Sequence, residues 1–196
     1  GVVGLVHGAV ETVTGLITNP GVDAISFVGS ERVARIVYET AAKSGKRVQA
    51  LGGAKNHIIA MPDAVLDQSV PNIAESAFGN AGQRCLAGSV LTLVGEARER
   101  MLPRLLEHAD TIKMGFGLDA GISLGPVIRS EARERIHTLV DQGVAAGAKM
   151  LRDGRGTGPE KGYFVGPTLL EIAPESPLAR EEVFGPVLSI LYAKDL

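Results

Sequence analysis

Ala24-Ile25-Ser26-Phe27-Val28-Gly29-Ser30 reads as a strand that ends in a turn and passes directly into a helix. Of the first five residues, Ala24, Ile25, Phe27 and Val28 are apolar, as a strand of a folded sheet requires. After Ser30, Val33, Ile36, Val37 and Ala41 recur at helical spacing over 31–43, and Ser44-Gly45 ends that helix. Arg47 to Leu51 reads as the next strand. Upstream, Val2 to Val6 has the composition of a strand, and 9–18 follows as a helix stopped by Asn19-Pro20-Gly21. The order is β-α-β-α-β. Short connections between apolar strands predict parallel pairing with right-handed crossovers, an α/β fold.

The pattern changes at Gly52-Gly53. Beyond it the spacing predicts strands over 58–61, 89–94, 163–172 and 187–192, and helices over 67–78, 96–110 and 130–146. Pro71 is compatible with the first of these helices if it falls in the first turn. Two domains are therefore expected, 1–52 and 53–196. The chain has 196 residues, 45% of them hydrophobic, with 25 glycines and one cysteine, and a net charge of −2. This is globular composition, and it carries no basic footprint for nucleic acid. The apolar runs are too short to cross a bilayer. One cysteine permits no internal disulfide, which fits a reducing compartment. The sequence starts without Met or leader and reads as the middle of a longer protein.

Two places carry chemistry. At Phe27-Val28-Gly29-Ser30, free N–H groups at a helix start suit an anion such as a pyrophosphate. Gly29 lets the backbone approach closely and Ser30 can cap the helix. The same residues also describe a plain strand-turn-helix, since the full G-x-G-x-x-G spacing is absent. Cys85, in Phe78-Gly79-Asn80-Ala81-Gly82-Gln83-Arg84-Cys85, is either a small buried hydrophobe or a reactive thiol. Arg84 beside it favours the thiolate and the second reading. His7, His57, His108 and His137 are scattered, with no metal-ligand spacing.

Together with its neighbours, this segment resembles the aldehyde dehydrogenase superfamily from one end of the chain to the other. Phe78 to Cys85 is similar to its nucleophile motif F-x-N-x-G-Q-x-C, and Phe27 to Ser30 to its F-x-G-S turn. Gly53-Ala54-Lys55-Asn56 resembles G-G-K-N. Leu124-Gly125-Pro126, Tyr163 to Thr168 and Glu182-Val183-Phe184-Gly185-Pro186 follow in the family's order. The resemblance implies the back part of a Rossmann-like domain followed by an α/β catalytic domain. It also implies that Cys85 attacks an aldehyde, passes hydride to NAD and is left carrying a thioester. Phe27, Gly29 and Ser30 are then cofactor-binding. Glu182 and Phe184 match the residues that hold the nicotinamide ribose and flank its ring.

One departure separates this chain from most of that superfamily. Where E-L-G-G-K supplies a glutamate to activate water, this sequence has Leu51, or Ala50 if aligned on the glycines. Neither accepts a proton, and general-base help is worth about 10²–10⁴-fold. A thiol needs less help than water, so coenzyme A is favoured as acyl acceptor. The methylmalonate-semialdehyde dehydrogenases share this loss, the A-K-N-H seen as Ala54 to His57, and an arginine before the cysteine. Arg84 suits a substrate carboxylate, which leaves as CO₂ to give acetyl-CoA or propionyl-CoA. A dimer or tetramer in the cytoplasm, or in the mitochondrial matrix of a eukaryote, is the matching expectation. Alternatives are a dehydrogenase that releases free acid with a base from elsewhere, and a silent member that binds only nucleotide or a partner.

Overall fold

The computed structural model describes residues 1–195; Leu196, the end of the expected second domain, lies outside them. The chain is α/β and divides into two compact units, Gly1–Gly53 and Ala54–Leu196.

The first unit contains α1 (Val10–Thr18), β1 (Ala24–Gly29), α2 (Glu31–Lys43) and β2 (Arg47–Gly52). β1 and β2 pair in parallel, from Ala24 opposite Arg47 to Gly29 opposite Gly52. Side chains alternate along a strand, so Ile25 and Phe27 of β1 share a face with Val48 and Ala50 of β2. That face packs on a small core of Ile17, Val37 and Ala41.

Two expectations fail in this unit. Val2 to Val6 forms no strand, and Val2, Val3 and Leu5 are exposed. β-branched residues favour a strand only against a pleated neighbour, and no described strand lies beside them. Ile36, placed by its spacing on the inner stripe of α2, faces solvent at 52% exposure, and Ala34 is buried instead. Successive helical residues turn by about 100°, so Val33, Val37 and Ala41 fix a face whose margin falls at Ile36.

In the second unit, a five-stranded sheet is built from β3 (Asn56–Ala60), β4 (Gly88–Val94), β5 (Lys149–Arg152), β6 (Thr168–Glu171) and β7 (Val187–Ala193). Its order is β3-β4-β7-β6-β5, parallel except for β5 at the edge. The helices are α3 (Leu66–Phe78), α4 (Ala97–Thr111) and α5 (Ser130–Ala145). β4 and β7 are central and read as nearly continuous apolar runs, as strands covered on both faces do. Leu91, Leu93, Leu188 and Ile190 are buried there, in a core shared with Phe78, Met101 and Ile136.

Here too the sequence reading needs correcting. Pro71 sits in the second turn of α3, not the first. It lies on the exposed face, where the Asp67 carbonyl it leaves unbonded is open to water. The strand expected over 163–172 is only Thr168–Glu171, because Gly166-Pro167 interrupts it. The short edge strand β5 has no expected counterpart.

Candidate active site

The nucleophile motif lies between the end of α3 and the start of β4. A 3₁₀ turn, Gly79–Gly82, follows the helix. In it Asn80, Ala81 and Gly82 all take positive φ, +53°, +52° and +65°. Each non-glycine residue held there costs roughly 1–2 kcal/mol, so the surroundings must impose the shape. A Cβ on Gly82 would overlap the carbonyl of Gly185 and come within 2.9 Å of the Pro186 nitrogen. Direct backbone packing of the nucleophile turn on the Glu182–Pro186 segment is what this glycine permits.

The next turn carries the thiol. Ala87 N–H donates to the Arg84 carbonyl at 3.0 Å, which places Cys85 at the bend with its side chain exposed. Its backbone is held firmly. Asn56, at the start of β3, donates through Nδ2 to the Cys85 and Ala87 carbonyls, each at 2.9 Å. The Ser89 hydroxyl fixes Asn56 by donating to its carbonyl at 3.1 Å. Gly88 N–H donates to the Ser76 hydroxyl of α3 at 3.1 Å. Gln83 accepts from Ile128 N–H at 3.0 Å. Among the described residues the Cys85 N–H donates to no protein acceptor, and no carboxylate bonds its sulfur. A fixed backbone thus presents an exposed thiol with an open N–H beside it.

Glu182 and Phe184 meet this turn from the other side. A small cleft of about 20 Å³ is lined by Asn56, Gly82, Arg84, Glu182 and Phe184 among others. Phe184 has φ +52° and is partly exposed. Two cations hold the segment before it. Lys55 donates to the Glu181 carbonyl at 2.9 Å. Arg135 of α5 donates to the Val183 carbonyl at 2.8 Å, to the Glu182 carbonyl at 2.6 Å and to the Glu181 carboxylate at 3.2 Å. Arg84 points its Nη2 at Glu75 on α3, bonding its backbone carbonyl and standing 3.5 Å from its carboxylate. Asn56, Lys55, Arg135 and Glu75 received no role from sequence reasoning. For Asn56 and Lys55 a signal existed, in the Ala54 to His57 motif.

Burial lowers the Lys55 ammonium from its ordinary 10.5 to about 8, against the opposing pull of Glu181 and then Glu182. Such a group binds its proton less tightly folded than unfolded. Below pH 8 both states are protonated and the burial cost is present in full. Between about 8 and 10.5 the unfolded chain keeps the proton that the folded one has lost, so stability rises with pH. From pH 7 to about 9.5 this single group is expected to add about 2 kcal/mol. Lys55→Met should abolish that rise. Urea titrations of both proteins at the two pH values check it, and parallel curves would contradict it.

In the first unit, β1 ends on Gly29 and Ser30 caps α2 with extended φ/ψ. Its side chain makes no capping bond, and the first helical backbone bond runs from Ala34 N–H to the Ser30 carbonyl. The amides of 31–33 therefore point out of the helix start unbonded within it. A Cβ on Gly29 would press on the Phe27 ring at 2.5 Å, so the turn is bare of side chain there. This donor set fits a pyrophosphate. Among the described residues no group of three or more His, Cys, Asp or Glu could hold a metal. No described helix is long and apolar enough to cross a membrane.

Comparison with known proteins identifies the family. The family model described as "Aldehyde dehydrogenase family" matches residues 1–196. Malonate-semialdehyde dehydrogenase 2 of Geobacillus thermodenitrificans is 50% identical over 199 residues, spanning 100% of this chain and 41% of that protein. The chain thus spans about two-fifths of the length of the curated relatives it matches. The crystal structure of methylmalonate-semialdehyde dehydrogenase from Oceanimonas doudoroffii superposes with a TM-score of 0.90 at 40% identity, covering 95% of this chain and 39% of that one. A Sinorhizobium meliloti protein provisionally given the same name, complexed with NAD, has a TM-score of 0.90 at 41% identity, covering 94% and 38%. The chain belongs to the aldehyde dehydrogenase family.

Proposed function

We propose that the full-length protein oxidises malonate or methylmalonate semialdehyde with NAD and passes the acyl group to coenzyme A. One observation carries this reading: Cys85 presents an exposed thiol on a clamped backbone, and no described carboxylate bonds its sulfur. The relatives' names and the neighbour solved with NAD support it.

The Cys85 sulfur, as thiolate, adds to the aldehyde carbon. The unpaired Cys85 N–H donates to the oxygen on which negative charge develops. A bound NAD would supply the acceptor for the hydride, leaving a thioester on Cys85. The amides at the start of α2 would hold its pyrophosphate, with Ser30 and the bare turn at Gly29 admitting it. Glu182 and Phe184 would hold the nicotinamide ribose and flank the ring. Arg84 binds the substrate carboxylate until it leaves as CO₂, and a proton takes its place on the carbon. The coenzyme A thiolate then attacks the thioester carbonyl and expels Cys85 as thiolate. Water would need a base where this sequence has Leu51 or Ala50.

The test is NADH formation by the full-length protein on malonate semialdehyde, with and without coenzyme A. Turnover is expected to depend on coenzyme A, with acetyl-CoA and CO₂ as products. Rapid release of free acid in its absence would support the hydrolytic alternative.

A further inference from the structure

Resting on the proposed role of Arg84, we propose that Glu75 is a positioning residue whose carboxylate occupies Arg84 until a substrate carboxylate displaces it. The pair is built into the end of α3. Arg84 Nη2 donates to the Glu75 backbone carbonyl, and the Glu75 carboxylate lies 3.5 Å from the same nitrogen. Gly79 is the space between them, because a Cβ there would overlap both the Glu75 carboxylate and Arg84 Nη2. The other guanidinium nitrogens bond nothing among the described residues.

The two contacts differ in kind. The carbonyl contact is main-chain and fixes where the guanidinium sits. The carboxylate contact is long and exposed, with 41% of the Arg84 side chain and 71% of the Glu75 side chain open to solvent. An exposed pair of this sort is weak and exchangeable. Glu75 also borders a cleft of about 240 Å³ with Phe78, His108 and Ile112, so its side chain has room to withdraw. A short aldehyde carrying its own carboxylate can replace it on the anchored guanidinium; an uncharged aldehyde cannot. Glu75 thus competes with charged substrates only, and its removal should favour them.

The measurement is the ratio of kcat/KM for malonate semialdehyde to that for propanal, in full-length protein at saturating NAD and coenzyme A. Exposed ion pairs shift equilibria by about 1.4- to 5-fold. Glu75→Ala and Glu75→Gln are each expected to raise the ratio about 2- to 5-fold. Arg84→Leu should lower it, and adding Glu75→Gln to Arg84→Leu should change nothing further. Glutamine keeps the size of the side chain, so a rise confined to Glu75→Ala would indicate packing and overturn the inference. Parental ratios in both Glu75 variants, with a fall in Arg84→Leu, would overturn this inference alone. A parental ratio in Arg84→Leu would remove the reading of Arg84 on which it stands.

Discussion

Cys85→Ser in the full-length protein is expected to reduce aldehyde-dependent NADH formation by about 10⁴-fold or more. The substitution changes one atom. An alcohol is a far weaker nucleophile than a thiol at neutral pH and would need a strong base beside it to attack at all. A loss of about 10⁴ corresponds to about 5.4 kcal/mol in the barrier. Stability should barely move, since the side chain is exposed and its sulfur bonds no described carboxylate. That separation matters: steady-state rates fall while the denaturation midpoint stays. Activity within about 10-fold of the parent would show that this sulfur is not the nucleophile.

The second large effect is expected at Gly82, far smaller chemically but structurally severe. Gly82→Ala meets two penalties at once. A non-glycine residue at φ +65° costs roughly 1–2 kcal/mol. Its Cβ would also overlap the Gly185 carbonyl, which is backbone and cannot rotate aside. A combined destabilisation of about 3 kcal/mol is expected. Relief comes only by separating the Cys85 turn from the segment carrying Glu182 and Phe184. Displacements of about 1 Å at such a place cost roughly 10²-fold in rate. Denaturant unfolding and NADH kinetics on one preparation read both. Parental stability and rate would show that the close approach of Gly82 to Gly185 is dispensable.

Much of this was legible where local pattern decides structure. The strand-turn-helix at Phe27 to Ser30 shows the switch from period two to period 3.6, and β1, the turn and α2 form there. The turn before Cys85 was legible as a motif, though not its cause, three consecutive residues at positive φ. What escaped depends on partners distant in sequence. Asn56 clamps Cys85 from 29 residues away, and Lys55 reaches Glu181 across 126. Periodicity carries no information about such pairs. Val2 to Val6 fails for the same reason, since a strand requires a neighbour that its own residues do not specify. The start of α3 at Leu66 lies one residue from the expected 67, so Pro71 falls in the second turn, and the proline is kept there by its exposed position rather than by the first-turn tolerance the sequence suggested.

The central claim is that Cys85 holds an acyl group that waits for a thiol. The most direct measurement is peptide mass spectrometry of the full-length protein after malonate or methylmalonate semialdehyde and NAD are added without coenzyme A. The account predicts an acetyl or propionyl group on the peptide bearing Cys85, lost when coenzyme A is added and recovered as its thioester. An unmodified Cys85 in a protein that continues to form NADH would contradict it.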